Sequence, residues 1–230
     1  MNTQTVFVVD DAREVRISLS RLLTVKGYTV SSFESAEQFL RGQDFDAPGC
    51  VLLDLAMPGM SGLDVQRALH DSMGARPIVF LTGRGDIHAS VDAMKAGAVD
   101  FLTKPVDDSR LVAAIDRALC IDAANRRTRA IRDMIERRLQ LLTLREREVM
   151  NEVVFGRLNK QIAAKLGIGE KTVKVHRAHV MSKMGARSVA ELVSLAARVD
   201  VAMEPALRGS HAVASGAKAG NGFMTYPACM

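Results

Sequence analysis

No stretch of this 230-residue chain approaches the roughly 20 consecutive apolar residues that span a bilayer. The N-terminus also lacks the basic-then-apolar pattern of a secretory signal. The expectation is no membrane contact and a cytoplasmic location. Cysteine is scarce: Cys50, Cys120 and Cys229 are scattered and odd in number, which makes no disulfide framework and suits a reducing compartment. No Cys/His spacing fits zinc, and no segment repeats. What is present is 48% hydrophobic residues, enough for one large domain or two ordinary ones. Charge is uneven. Residues 1–120 hold 12 Lys and Arg against 16 Asp and Glu, a net −4, whereas residues 121–230 carry +9 of the overall +5. An acidic half and a basic half suggest separate tasks, the basic one open to a polyanion.

In the acidic half, short apolar runs end in polar residues. Thr5-Val6-Phe7-Val8-Val9 ends in Asp10-Asp11, Cys50-Val51-Leu52-Leu53 in Asp54, Ile78-Val79-Phe80-Leu81 in Thr82, and Val99-Asp100-Phe101-Leu102 in Thr103-Lys104-Pro105. Such runs read as buried parallel strands, and parallel sheets do their chemistry outside the strand carboxyl ends. Helical stretches near Ala12–Lys26, Ser35–Arg41, Leu63–Ser72, Ile87–Ala96 (with Asp86 as N-cap) and Asp107–Leu119 alternate with them, and a strand near Tyr28–Ser32 completes the set. Five βα units predict an α/β fold, a doubly wound five-stranded parallel sheet. The expected domains are 4–120, a helical linker over 121–141, an all-α domain over 142–200 and a disordered tail over 204–230 rich in Gly, Ala and Ser.

Carboxylates gathered at one sheet end repel one another unless a hard cation sits among them, and Mg²⁺ or Mn²⁺ prefers such oxygens. A metal-bound Asp54 could attack phosphorus, with Lys104 and the metal countering the phosphoryl charge and Thr82 donating a hydrogen bond. Taken singly, Asp10, Asp11 and Asp54 could merely cap helices or start loops. All five side chains at strand ends favour chemistry.

These residues sit in stretches that resemble the receiver domain of bacterial two-component response regulators. They are Val8-Val9-Asp10-Asp11, Leu52 to Gly62, Leu81-Thr82-Gly83 and Ala96 to Pro105. The resemblance implies a flavodoxin-like fold and Asp54 as acceptor of a phosphoryl group from a sensor histidine kinase. It further implies Mg²⁺ held by Asp11, Asp54 and the Ala56 carbonyl, with Asp10 largely through water. Thr82 and Lys104 would sense phosphate, Phe101 would be the switch aromatic, and Lys104-Pro105 would be cis. Haloacid-dehalogenase-like phosphatases also use an aspartyl nucleophile, but place a second Asp two positions later. Ala56 stands there, which argues against ester turnover. Arg84, two positions after Thr82, is a candidate for tuning phosphate lifetime.

In the basic half the strand signal disappears. Helices are expected at Arg145–Phe155, Lys160–Leu166, Glu170–Met184 and Val189–Arg198, and Gly167-Ile168-Gly169 joins the middle pair as a helix-turn-helix. On the Glu170–Met184 helix, Val173, Val180 and Met184 fall on one side. Lys171, Lys174, Val175, Ala178 and Ser182 fall opposite, with His179 at the edge, Thr172, His176 and Lys183 on one flank and Arg177 on the other. A solvated basic face has the same pattern; the glycine turn and the +9 charge favour DNA. Residues 142–199 resemble the LuxR-type DNA-binding domain through Leu144 to Val149, Asn159 to Ala163, Lys171 to Arg177 and Met181 to Met184. That implies Lys160, Thr172, His176, Arg177 and Lys183 at phosphates, and Lys174 and Val175 at bases. Gly169 departs from the usual Ser or Thr cap at a cost of only a few tenths of a kcal/mol.

The two resemblances together point to FixJ/NarL-type response regulators, FixJ-like ones in particular. They imply a transcription regulator switched by phosphorylation, dimeric when phosphorylated, with a histidine kinase, promoter DNA and RNA polymerase as partners. A phosphorylation-independent regulator of the same fold, a ligand-gated LuxR-type regulator and an aspartyl-phosphate hydrolase are the rivals.

Overall fold

The computed structural model describes residues 4–42, 44, 47–71, 76–83 and 87–199. The expected Arg84 and Asp86 roles and the 204–230 tail lie outside these residues. The chain divides into two compact units between Arg126 and Arg127.

The first unit alternates β1 (Thr5–Val9), α1 (Arg13–Val25), β2 (Thr29–Phe33), α2 (Ala36–Gly42), β3 (Gly49–Asp54), α3 (Gly62–Asp71), β4 (Ile78–Thr82), α4 (Ile87–Lys95), β5 (Asp100–Thr103) and the part of α5 (Asp108–Gln140) up to Arg126. All neighbouring strands run parallel, in the order β2-β1-β3-β4-β5. The order reverses beside β1, so the ends of β1 and β3 flank the crevice where such sheets bind ligands.

The two sheet faces follow from side-chain alternation along each strand. Val6, Val8, Cys50, Leu52, Val79, Leu81 and Leu102 point to one face, covered by Leu19 and Leu23 of α1 and by Leu111, Ile115 and Leu119 of α5. Phe7, Val9, Val51, Leu53, Ile78 and Phe80 point to the other, covered by Phe39 of α2, Val65 and Leu69 of α3 and Ala93 of α4. Every residue of β3 is buried. That explains its continuous apolar run: a central parallel strand has no solvent face.

The expected helix ending at Leu119 and the separate linker are one continuous helix to Gln140. No glycine or proline interrupts residues 119–140, so nothing local stops the helix. Strand and helix bounds otherwise agree within about two residues, the usual uncertainty of helix ends.

In the second unit α6 (Leu144–Val154), α7 (Asn159–Leu166), α8 (Glu170–Met184) and α9 (Val189–Arg198) enclose a core of Val149, Met150, Val153, Ile162, Val173, Val180, Met184 and Leu192. Ile135 of α5 is buried in the same core. Thr143 starts α6 with a capping box. The Glu146 N–H donates to Thr143 Oγ1 at 3.3 Å, and the Thr143 N–H to Glu146 Oε2 at 2.8 Å. Gly167 ends α7 in the left-handed region at φ 65°. A side chain there would be strained, so glycine allows the tight turn into α8. Among the described residues no helix is long and apolar enough to cross a membrane.

Candidate functional site

Asp10 follows the last residue of β1, Asp54 ends β3 and Thr82 ends β4; all three are buried. The parallel register sets Asp54 opposite Leu81, which places Thr82 one step beyond it. One carboxylate oxygen from each of Asp10, Asp11 and Asp54 lies within 4.8 Å of the others. Lys104 follows β5 and enters the same cluster. Its Nζ donates to Asp10 Oδ2 at 2.5 Å and to Asp54 Oδ1 at 3.1 Å. The Lys104 N–H also donates to the Thr82 carbonyl at 2.7 Å. The Lys104-Pro105 bond is cis.

The electrostatics follow from burial set against pairing. Burial pushes the Asp54 carboxyl above its ordinary pKa, and the Lys104 hydrogen bond and charge oppose that rise. Burial works against the Lys104 ammonium, but hydrogen bonds to Asp10 and Asp54 outweigh it and its pKa is raised. The lysine therefore stays charged and neutralises part of the acidic cluster.

Backbone detail fixes the rim. The Asp10 N–H donates to the Phe33 carbonyl, and Asp10 Oδ1 accepts the Ala12 N–H at 3.0 Å. The Leu55 N–H donates to the Leu81 carbonyl and the Gly62 N–H to the Leu55 carbonyl. Ala56, two residues past Asp54, is exposed at the rim. Gly62 has no room for a side chain: a Cβ there would lie 2.6 Å from the Asp54 carbonyl oxygen and 2.9 Å from the Phe80 ring. Phe101 lies on β5 opposite Phe80, with ring centroids 6.2 Å apart. Sequence reasoning missed Arg16, whose guanidinium donates to the Asp10 and Asp11 carbonyls at 2.8 and 2.9 Å.

In the second unit the α8 faces fall as the helical spacing predicts. Val173, Val180 and Met184 are fully buried. Lys171, Thr172, Lys174, Val175, Ala178 and Ser182 are exposed, as is Lys160 at the start of α7. His176 is partly buried, and its enclosed Nδ1 has no hydrogen-bond partner among the described residues. Two expected DNA residues carry structural bonds. Arg177 Nη1 donates to Asn159 Oδ1 at 2.9 Å, and Lys183 Nζ to Glu146 Oε2 at 2.6 Å. Glu146, 4% exposed, was also missed: it anchors Lys183, and His179 Nδ1 stands 3.5 Å from its other oxygen. Nothing in sequence spacing signals contacts between separate helices.

Residues 6–116 match the model of the response regulator receiver domain, and residues 140–196 that of the bacterial regulatory proteins of the luxR family. The chain is 45% identical over 197 residues to the transcriptional regulatory protein FixJ of Rhizobium meliloti, covering 85% of this chain and 96% of that protein. It is 42% identical over 200 residues to the response regulator protein TodT of Pseudomonas putida, covering 86% and 88%. Among solved structures, the response regulator StyR superposes with a TM-score of 0.77 at 44% identity, covering 85% of this chain and 99% of that one. Full-length FixJ from B. japonicum gives a TM-score of 0.52 at 38% identity over 88% and 100%. A receiver sheet with acidic strand ends and a LuxR-type helical domain in one chain, with relatives alike over most of their length, place this protein in the FixJ/NarL family of response regulators, which are DNA-binding transcription regulators.

Proposed function

We propose that Asp54 is the phospho-acceptor and that its phosphorylation by a sensor histidine kinase drives dimerisation and promoter binding. The observation that carries this reading is the pairing of Lys104 with both Asp10 and Asp54 at the strand ends. Asp11, Asp54 and the Ala56 carbonyl would hold Mg²⁺ or Mn²⁺, with Asp10 largely through water. Three carboxylates within 4.8 Å suit a hard divalent ion. Such an ion supplies charge neutralisation for a transferring phosphoryl group.

The Asp54 carboxylate attacks the phosphorus of the kinase phosphohistidine. The P–N bond breaks and the imidazole nitrogen keeps its electron pair. Lys104 leaves Asp10 and Asp54 for the new phosphoryl oxygens, and Thr82 donates its hydroxyl to another. Phe101 reorients behind Thr82 and alters the surface of α4 and β5, which pairs two receivers. The protein in this sense catalyses its own phosphoryl transfer and slow dephosphorylation. Residues 4–120 act as receiver, 121–141 as linker and 142–200 as DNA-binding domain, in the cytoplasm and with RNA polymerase as the downstream partner.

A dimer sets two copies of α8 into successive major grooves about one helical turn apart. Lys160, Thr172, His176, Arg177 and Lys183 would hold phosphates, and Lys174 and Val175 would meet base edges. Once one half-site is bound the second contact is intramolecular, so a shift of a few kcal/mol in dimerisation is enough to switch promoter occupancy.

Light scattering with Mg²⁺ and beryllofluoride tests this. The molar mass should double, and Asp54→Asn should stay monomeric with its fold intact. A wild-type mass that does not change sinks the dimerisation step.

A further inference from the structure

The Arg16 guanidinium grips the acidic rim through its main chain rather than its carboxylates. Nη1 donates to the Asp10 carbonyl at 2.8 Å and to the Asp11 carbonyl at 2.9 Å. Nη2 lies 3.9 Å from Glu34 Oε2, a weak contact with an exposed partner. The Arg16 side chain is only 15% exposed, and its bond to the Asp10 carbonyl is partly buried, whereas the one to Asp11 lies at the exposed edge of the rim.

The two aspartates are held differently. Asp10 is buried, its Oδ1 accepts from the Ala12 N–H and its Oδ2 from Lys104. Asp11 is exposed, so its carboxylate depends on where its backbone points. Arg16 stands on the first turns of α1, and its own N–H donates to the Ala12 carbonyl. It therefore ties the loop between β1 and α1 back onto the helix that follows it.

We infer that Arg16 is a positioning residue for the divalent cation: by bridging the Asp10 and Asp11 carbonyls it sets the Asp11 carboxylate where the ion needs it. The inference rests on the proposed reading that this pocket takes Mg²⁺ or Mn²⁺. Groups that orient metal ligands without touching the ion commonly contribute 10–100-fold in affinity. A guanidinium beside a cation site also repels the ion, so two effects of opposite sign are set against each other. If repulsion dominates, Arg16→Ala binds the ion more tightly. If positioning dominates, it binds more weakly.

The experiment measures Mn²⁺ binding to the full, unphosphorylated chain by the loss of the free-ion electron paramagnetic resonance signal. It compares wild type, Arg16→Ala, Arg16→Lys and Arg13→Ala; Arg13 is an exposed arginine on the same helix. Arg16→Ala should bind about tenfold more weakly or worse. Arg16→Lys keeps the charge, but its Nζ stands one bond closer to the backbone than Nη1 and falls short of bridging the two carbonyls, so it should also weaken binding. Arg13→Ala should match wild type. Phosphorylation by acetyl phosphate should then need more Mg²⁺ in the Arg16 variants yet reach the wild-type plateau rate, a split that a general loss of fold does not produce. Unchanged or tighter Mn²⁺ binding overturns the inference, as does a lowered plateau at saturating Mg²⁺. Should Arg16→Ala not fold, the affinity of Arg16→Lys decides alone. Wild type that binds no Mn²⁺ overturns the metal reading itself, and the inference with it.

Discussion

Lys183 Nζ donates to Glu146 Oε2 at 2.6 Å, although the two residues stand 37 positions apart. The bond fastens the last turn of α8 to the first turn of α6. The same oxygen accepts the Thr143 N–H, so one carboxylate serves a helix cap and an interhelical tie together. Breaking one arm of this arrangement should be felt in the other.

The pair predicts an acid sensitivity. The Lys183 hydrogen bond, followed by the Thr143 backbone bond, holds the Glu146 carboxyl down to about 2 from its ordinary 4.5. A depressed carboxyl stabilises the fold above its unfolded pKa and loses that contribution as pH falls. Amide hydrogen exchange in α8 should therefore accelerate as pH drops from 4.5 towards 2, beyond the intrinsic change in exchange rate. Glu146→Gln should start less protected and show a smaller change over that window; equal profiles contradict the assignment.

Salt dependence separates a lysine that would give its charge wholly to phosphate from one that shares it with a carboxylate of the protein. For every phosphate a variant no longer neutralises, the slope of log K against log salt should fall by about 0.9. Lys160→Ala should show that reduction. Lys183→Ala should change the slope less while weakening binding, because its ammonium is shared with Glu146. Equal slope changes for the two variants refute this division of labour.

Removing the ammonium from the acidic cluster should destabilise the metal-free protein. Lys104→Met leaves the Asp10 and Asp54 carboxylates buried without their cation, a loss of up to about 3–5 kcal/mol. Mg²⁺ should then raise the melting temperature of the variant more than that of wild type, since binding to the folded state alone adds stability. Thermal unfolding with and without Mg²⁺ checks this, and equal gains would contradict it.

Gly62→Ala should cost about 1–3 kcal/mol, because the new methyl meets the Asp54 carbonyl oxygen at 2.6 Å and backbone must move. The displaced loop carries Ala56, so phosphorylation by acetyl phosphate should slow as well. Urea unfolding and a phosphorylation time course test the two consequences separately.

The sheet and the pocket were legible because their signals are local. Four apolar runs ending in Asp, Thr or Lys placed the strand ends, and the sheet order brings those ends together. The apolar stripe of α8 was legible for the same reason, since Val173, Val180 and Met184 recur at helical spacing. The length of α5 was misjudged because a charged stretch after Leu119 suggested a new element, whereas helix propensity simply continued through it. Arg16, Glu146 and the Arg177 bond to Asn159 stayed hidden. Each depends on where a long flexible side chain ends after tertiary packing, and one sequence does not encode that as a pattern.

The separation of duties around α8 bears on how this protein could diversify. Three buried side chains secure the helix, while Lys171, Lys174, Val175, Ala178 and Ser182 stand exposed. Exposed substitutions usually shift stability by less than about 0.5 kcal/mol. On the proposed reading, in which Lys174 and Val175 meet base edges, a duplicated gene could rewrite its set of target promoters through codons on this face while the chain keeps folding as before, and an engineer could do the same in a single library.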